Sequence, residues 1–228
     1  RMVRAMEKNE KLGILQSLVV GLPSDSAFSR VFQFGMRLGM RSFTLGSAWW
    51  QSDCGPYWGH NAIIRMKPFI EHCHLPILEG NGPLSGWILS HDQVEAVYMR
   101  RAGYECRVLA EETDSFEENP PHILEFIRRD LRWCHGNMQY FHLLREPGLY
   151  LTSRIQLMLA ILMFIGSPAW MLLVVVGTAS LVFPDTFVFT MQTGSLGYIM
   201  FGMIMTMVFA PKIVSFFDVL MRSRARTN

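Results

Sequence analysis

Residues 155–184 read IQLMLAILMFIGSPAWMLLVVVGTASLVFP, a run without one charged side chain. At roughly 30 residues it exceeds the roughly 20 needed to cross a bilayer as a helix. Pro168, beside Gly166 and Ser167, predicts a kink rather than an end. A second uncharged run extends from Thr186 to Ala210, and Asp185 stands alone between them. The pair predicts a transmembrane helical hairpin. Arg145 and Arg154 precede the first run; Lys212, Arg222, Arg224 and Arg226 follow the second; the connection carries no Lys or Arg. The positive-inside rule then places both flanks, and the polar region before them, in the cytoplasm.

Outward from that run the character of the chain changes. Charges are dense up to about Arg154 and then nearly vanish, although half of all 228 residues are hydrophobic. A formal net charge of +2 is too small to point to nucleic acid. Cys54, Cys73, Cys106 and Cys134 show no paired spacing and read as reduced thiols. The first residue is Arg1, inside what reads as a helix, so the expectation is a fragment of a longer chain.

The polar region reads as alternating strands and helices, an α/β pattern. Leu12–Val20 is predicted as a buried strand and Ser26–Met40 as a helix. Tyr57–Arg65 is predicted as a strand, Pro68–His74 as a short helix and His91–Ala102 as another. Glu105–Ala110 is predicted as a short strand followed by an acidic turn. A helix is then expected over about His122–Tyr140, capped by Asn119 with Pro120 and Pro121 in its first positions.

Chemistry has three candidate places. Ser90-His91-Asp92 opens a helix, where the dipole favours an ionised carboxylate of the kind a general base needs; a plain cap is the competing reading. Arg129, Arg132 and Trp133 share one helix face. Two guanidiniums there can grip a diphosphate and an indole can stack on a sugar, or all three can anchor an interfacial helix. Gly59, His60 and Asn61 combine close backbone approach with side chains that bond hydroxyls; an ordinary strand edge is the alternative. His72, Cys73 and His74 lack the second ligand pair of a zinc site. No phosphate loop and no serine-centred elbow is present. A hydrolase using His91 and Asp92 would lack a nucleophile, since Ser90 is too close in sequence to form a triad with them.

Taken in order, G-H-N, an Asp at a helix start and R-x-x-R-W before apolar helices resemble the processive family-2 glycosyltransferases, such as cellulose and hyaluronan synthases. The stretches GSAWWQSDCGPYWGHNAIIR (46–65), GPLSGWILSHDQVEA (82–96) and RRDLRWCHGN (128–137) are similar to the branch that builds osmoregulated periplasmic glucans in Gram-negative bacteria. The resemblance implies the carboxy-terminal part of a GT-A type α/β domain over 1–115, interfacial amphipathic helices over 116–150, and a transmembrane hairpin with a basic tail over 151–228. It implies Asp92 as the catalytic base, His91 beside it, and Arg129, Arg132, Trp133, Gly59, His60 and Asn61 at the donor and acceptor site. Arg129 stands where most relatives carry Gln. An inverting transfer of glucose from UDP-glucose to a β-glucan at the bacterial inner membrane follows from the resemblance. So do a divalent Mg2+ or Mn2+ held by a D-x-D motif upstream of Arg1, and no metal bound by this segment alone. The expected partners are the donor, the glucan acceptor, the lipid bilayer, the amino-terminal part of the same chain and other periplasmic glucan synthesis proteins. A membrane-anchored glycan-binding or assembly subunit without turnover is the alternative.

Overall fold

The computed structural model describes residues 1–182 and 195–227. The chain divides into two compact units, Arg1–Leu162 and Met163–Asn228.

In the first unit, α1 (Met2–Lys8) leads into β1 (Leu12–Gly21), and then α2 (Ala27–Gln51), β2 (Ala62–Ile64), α3 (Met66–His72), α4 (His91–Arg101), β3 (Glu105–Glu117) and α5 (Ile123–Leu143) follow. The sheet order is β2-β1-β3, with β1 antiparallel to β2 and parallel to β3. A strand covered on both faces needs a near-continuous apolar sequence. LGILQSLVV supplies one, and its residues 12–19 are all buried.

α4 lies between two cores. Ala96 and Met99 pack with Ile14 of β1, Tyr57 and Cys106. Val94, Val97 and Tyr98 pack with Tyr140 and Leu143 of α5 and with Leu157 and Ile161. Those last two belong to α6 (Leu151–Val182) and are fully buried. Each such aliphatic side chain contributes about 1.5–3 kcal/mol on leaving water. The first three turns of α6 are therefore pinned to the α/β unit.

Four expectations need correction. α2 runs on to Gln51, with Ser26 as its cap, accepting from Ser29 N. The strand expected over Tyr57–Arg65 is only Ala62–Ile64, because positive φ at Gly59 and Asn61 breaks the extended backbone before it. The acidic stretch is no turn. β3 continues to Glu117, pairing Leu18 with Glu112 and Gly21 with Glu117 across register shifts. An edge strand tolerates such charges because one side of it faces water, and Glu111 pairs there with Arg1. Finally α5 is capped by His122, whose side chain accepts from Glu125 N, rather than by Asn119. All four cysteines are free, as expected.

The second unit holds the rest of α6 and α7 (Ser195–Thr227). α6 continues through Pro168. Leu151–Ala179 and Gly202–Met221 are long and apolar enough to cross a membrane. Beyond the first three turns of α6 most described side chains of these stretches are exposed, Trp170, Met171 and Met207 among them. The connection with Asp185 lies outside the described residues.

Candidate active site

The start of α4 is held by α5. Tyr140 Oη donates to Ser90 O at 2.6 Å, and Leu89 N donates to Gln139 Oε1 at 2.9 Å. Gln139 Nε2 in turn donates to Trp87 O at 2.9 Å. Gly136 lets the two segments touch, since a Cβ there would lie 2.7 Å from Ser90 Cβ. Positions 136, 139 and 140 fall on one helix face by the i, i+3, i+4 rule. Ser90 is the N-cap residue, yet its hydroxyl makes no capping bond. Ser90 Oγ is buried without a hydrogen-bond partner.

Asp92, in the first turn of α4, has a side chain 30% exposed. His91 Nδ1 lies 3.1 Å from Asp92 Oδ1 and 3.0 Å from Glu95 Oε1. Burial pushes the Asp92 carboxyl above its ordinary value, while the electrostatic influence of His91, His60 and Arg132 pulls it back. Desolvation thus outweighs the helix-start effect expected from sequence. Glu95 is raised for the same first reason, with His91 lowering it and Asp92 raising it. Tyr57, facing both carboxylates, is pushed up to about 12 by burial and then by their charge.

Gly59, His60 and Asn61 form a loop ahead of β2, clamped by two polar residues of β1. Gln16 Nε2 donates to His60 O at 2.9 Å and Gln16 Oε1 accepts from Trp58 N at 3.0 Å. Ser17 Oγ donates to Asn61 O at 2.6 Å. Gly59 has φ +80 and no room for a side chain: a Cβ would sit 2.6 Å from Asp92 Cγ. The loop therefore lies directly against the carboxylate. His60 Nε2 is 3.3 Å from Glu117 Oε2, and Asn61 Nδ2 donates to Phe116 O at 3.0 Å.

On α5 the expected trio separates in role. Arg132 acts on Asp92 through its charge. Arg129 lies over the Trp133 ring at 4.5 Å and near the Phe32 ring at 5.9 Å. Phe32 packs in turn on Phe126, fixing α2 against the start of α5. Arg129 Nε is buried with no hydrogen-bond partner. Burial pulls Arg129 below its ordinary value, opposed by the charges of Glu117 and Asp130. Trp133 stays 38% exposed, so part of its indole remains open.

A family model for glycosyl transferase family group 2 matches residues 1–211. The chain belongs to that family. It is 43% identical over 180 residues to the glucans biosynthesis glucosyltransferase H of Cupriavidus pinatubonensis, covering 79% of this chain and 21% of that protein. It is 38% identical over 227 residues to the proteins of the same name from Pseudomonas entomophila and Pectobacterium atrosepticum. Those alignments cover 94% of this chain and 26% and 27% of the relatives. The chain thus spans about a quarter of the length of the curated relatives it matches.

For a family-2 glycosyl transferase the resemblance implies a divalent ion on a D-x-D motif. No two aspartates of this chain have that spacing. Among the described residues one cluster offers a donor set for a cation: His91, Asp92 and Glu95, with ligand atoms within 4.8 Å of one another. These donors close on each other instead, with His91 Nδ1 hydrogen-bonded to Glu95 Oε1. They do not fit the divalent ion that the resemblance implies.

Of the residues predicted from sequence, Asp92, His91, Gly59, His60 and Arg132 gather at one carboxylate. Asn61 anchors their loop, and Arg129 with Trp133 forms a stacked pair beside Phe32. Sequence reasoning missed Gln16, Ser17, Glu95, Glu117 and Gln139. A polar pair inside an otherwise apolar buried strand was the available signal for Gln16-Ser17. Glu95, four residues after His91, was legible from helix spacing. Glu117 carried no signal, since its strand looked like a turn.

Proposed function

We propose that this chain carries the acceptor side of the catalytic site of an inverting glucosyltransferase. The reaction moves glucose from UDP-glucose to a growing β-glucan at the bacterial inner membrane. The observation that carries the reading is the half-buried Asp92 carboxylate, enclosed by Gly59, His91 and the charges of His60 and Arg132. The family and the relatives' name support the reaction class.

In this reading Asp92 takes the proton of the acceptor hydroxyl as that oxygen attacks the anomeric carbon. The new C–O bond forms opposite the departing uridine diphosphate, so configuration inverts. Desolvation makes the carboxylate more basic and thus better matched to a weakly acidic hydroxyl. Arg132 and Arg129 supply positive charge for the leaving diphosphate. The open part of Trp133 offers a flat face to a sugar ring. The divalent ion implied by the resemblance would be held by carboxylates other than these. The apolar helices would span the bilayer as a hairpin, with the α/β unit and the basic tail cytoplasmic. A donor made in the cytosol would then feed a polymer bound for the other side.

The test is Asp92→Asn in the full-length protein carrying these residues. Loss of glucan synthesis by about 10²-fold or more, with donor binding retained, is expected of a missing general base. Wild-type polymer yield in that variant would refute the assignment. A wild-type protein that binds glucan but consumes no UDP-glucose would point to the assembly subunit instead.

A further inference from the structure

The proposed base does not stand alone on its helix. His91 and Glu95 are one turn apart on α4, and Glu95 is buried at 9% exposure although nothing in the reaction calls for it. An imidazole nitrogen that carries a proton has one hydrogen bond to give from that atom. Here Nδ1 is hydrogen-bonded to Glu95 Oε1 at 3.0 Å, while Asp92 Oδ1, 3.1 Å away, does not share that bond. The carboxylate oxygens themselves lie within 4.8 Å of each other. We infer that Glu95 is a positioning residue for Asp92, taking the Nδ1 hydrogen bond of His91 and so keeping it from the Asp92 carboxylate.

The consequence is chemical. A carboxylate that received the whole hydrogen bond would be a weaker base. Glu95 withholds it and adds a negative charge nearby, and both effects keep Asp92 avid for a proton. Burial of both carboxyls acts in the same direction. Other groups facing the trio set a fixed background: His60 and Tyr57 from the loop before β2, and Arg132 and Tyr140 from α5. Cys73, at the end of α3, donates to Glu95 O at 3.4 Å. Glu95 is the one member of the trio whose side chain can be altered without touching the proposed base or its imidazole neighbour. This inference rests on Asp92 being the base, and its test separates the two ideas.

The experiment is an NMR titration of the whole 228-residue chain in lipid nanodiscs, with aspartate 13Cγ labelled and Asp92→Asn used for assignment. In Glu95→Gln the acceptor oxygen is kept and the charge lost. The Asp92 midpoint is expected to fall by about 1 unit or more, the usual effect of one nearby charge. An unmoved or raised midpoint would overturn the inference, since a merely structural Glu95 would leave it in place. Should Glu95→Gln not fold, the 15N shifts of His91 in the wild-type chain decide. A protonated Nδ1 supports the inference, whatever the state of Nε2; an unprotonated Nδ1 overturns it. A moved midpoint together with a fully active Asp92→Asn enzyme would sink the catalytic reading and, with it, any role for Glu95 in transfer. An unmoved midpoint with an inactive Asp92→Asn enzyme would sink only the part assigned to Glu95.

Discussion

Replacing Gly59 by Ala would perturb the site through one methyl group. The added Cβ would sit 2.6 Å from Asp92 Cγ and 2.7 Å from Asp92 Oδ2. Carbon atoms in contact prefer about 3.5–4.0 Å. The carboxyl must therefore retreat by about 1 Å, or the loop must move by as much. The loop is poorly placed to move, because Gln16 and Ser17 bond the backbone on both sides of His60. The backbone itself has φ +80 at this position, which costs a residue with a side chain about 1–2 kcal/mol. A displacement of about 1 Å at a reacting group can cost about 10²-fold in rate. Gly59→Ala in the full-length protein is expected to lower kcat by about that factor, with a stability loss limited to about 1–3 kcal/mol. Glucan formation from labelled UDP-glucose measures the first and thermal unfolding the second. Gly35→Ala, on the open side of α2 with nothing within 4 Å of its added Cβ, is the control. Unchanged synthesis by Gly59→Ala would break the claim that this loop fixes the position of the Asp92 carboxylate.

The pH dependence of transfer should have its acidic limb above the ordinary aspartate value of about 3.9, because burial raises Asp92. The sign for stability is opposite to that for activity. A carboxyl raised on folding contributes stability in full below its unfolded value and loses it as pH rises through the folded value, whereas the base works only once deprotonated. Paired pH profiles of kcat/KM and of thermal unfolding would check both, and an acidic limb at or below about 3.9 would contradict the burial argument. Tyr140→Phe removes the donor to Ser90 O and leaves a buried carbonyl short of a partner. The expected loss is about 1–2 kcal/mol of stability, read by chemical unfolding, with a lower kcat if the start of α4 shifts; an unchanged unfolding midpoint would show that α5 does not secure that turn.

The sequence alone determined the features that depend on local spacing. An uncharged run over 155–184 has the length and composition of an apolar helix able to cross a membrane. LGILQSLVV had the composition of a strand buried on both sides. Asp92 at a helix start and the Arg129–Trp133 pair on one helix face followed from helical geometry. Tertiary structure decided what lies opposite what. The acidic stretch became the strand β3 because β1 offered it a parallel ladder, which no local propensity could announce. The G-H-N loop came to rest on Asp92 because two polar side chains of β1 hold it there, across more than 40 residues of chain. Glu117 met His60 only through that same pairing. Even the direction in which Asp92 is shifted was decided this way: its place at the helix start favours the charged form, and burial by neighbours distant in sequence pushes the carboxyl above its ordinary value.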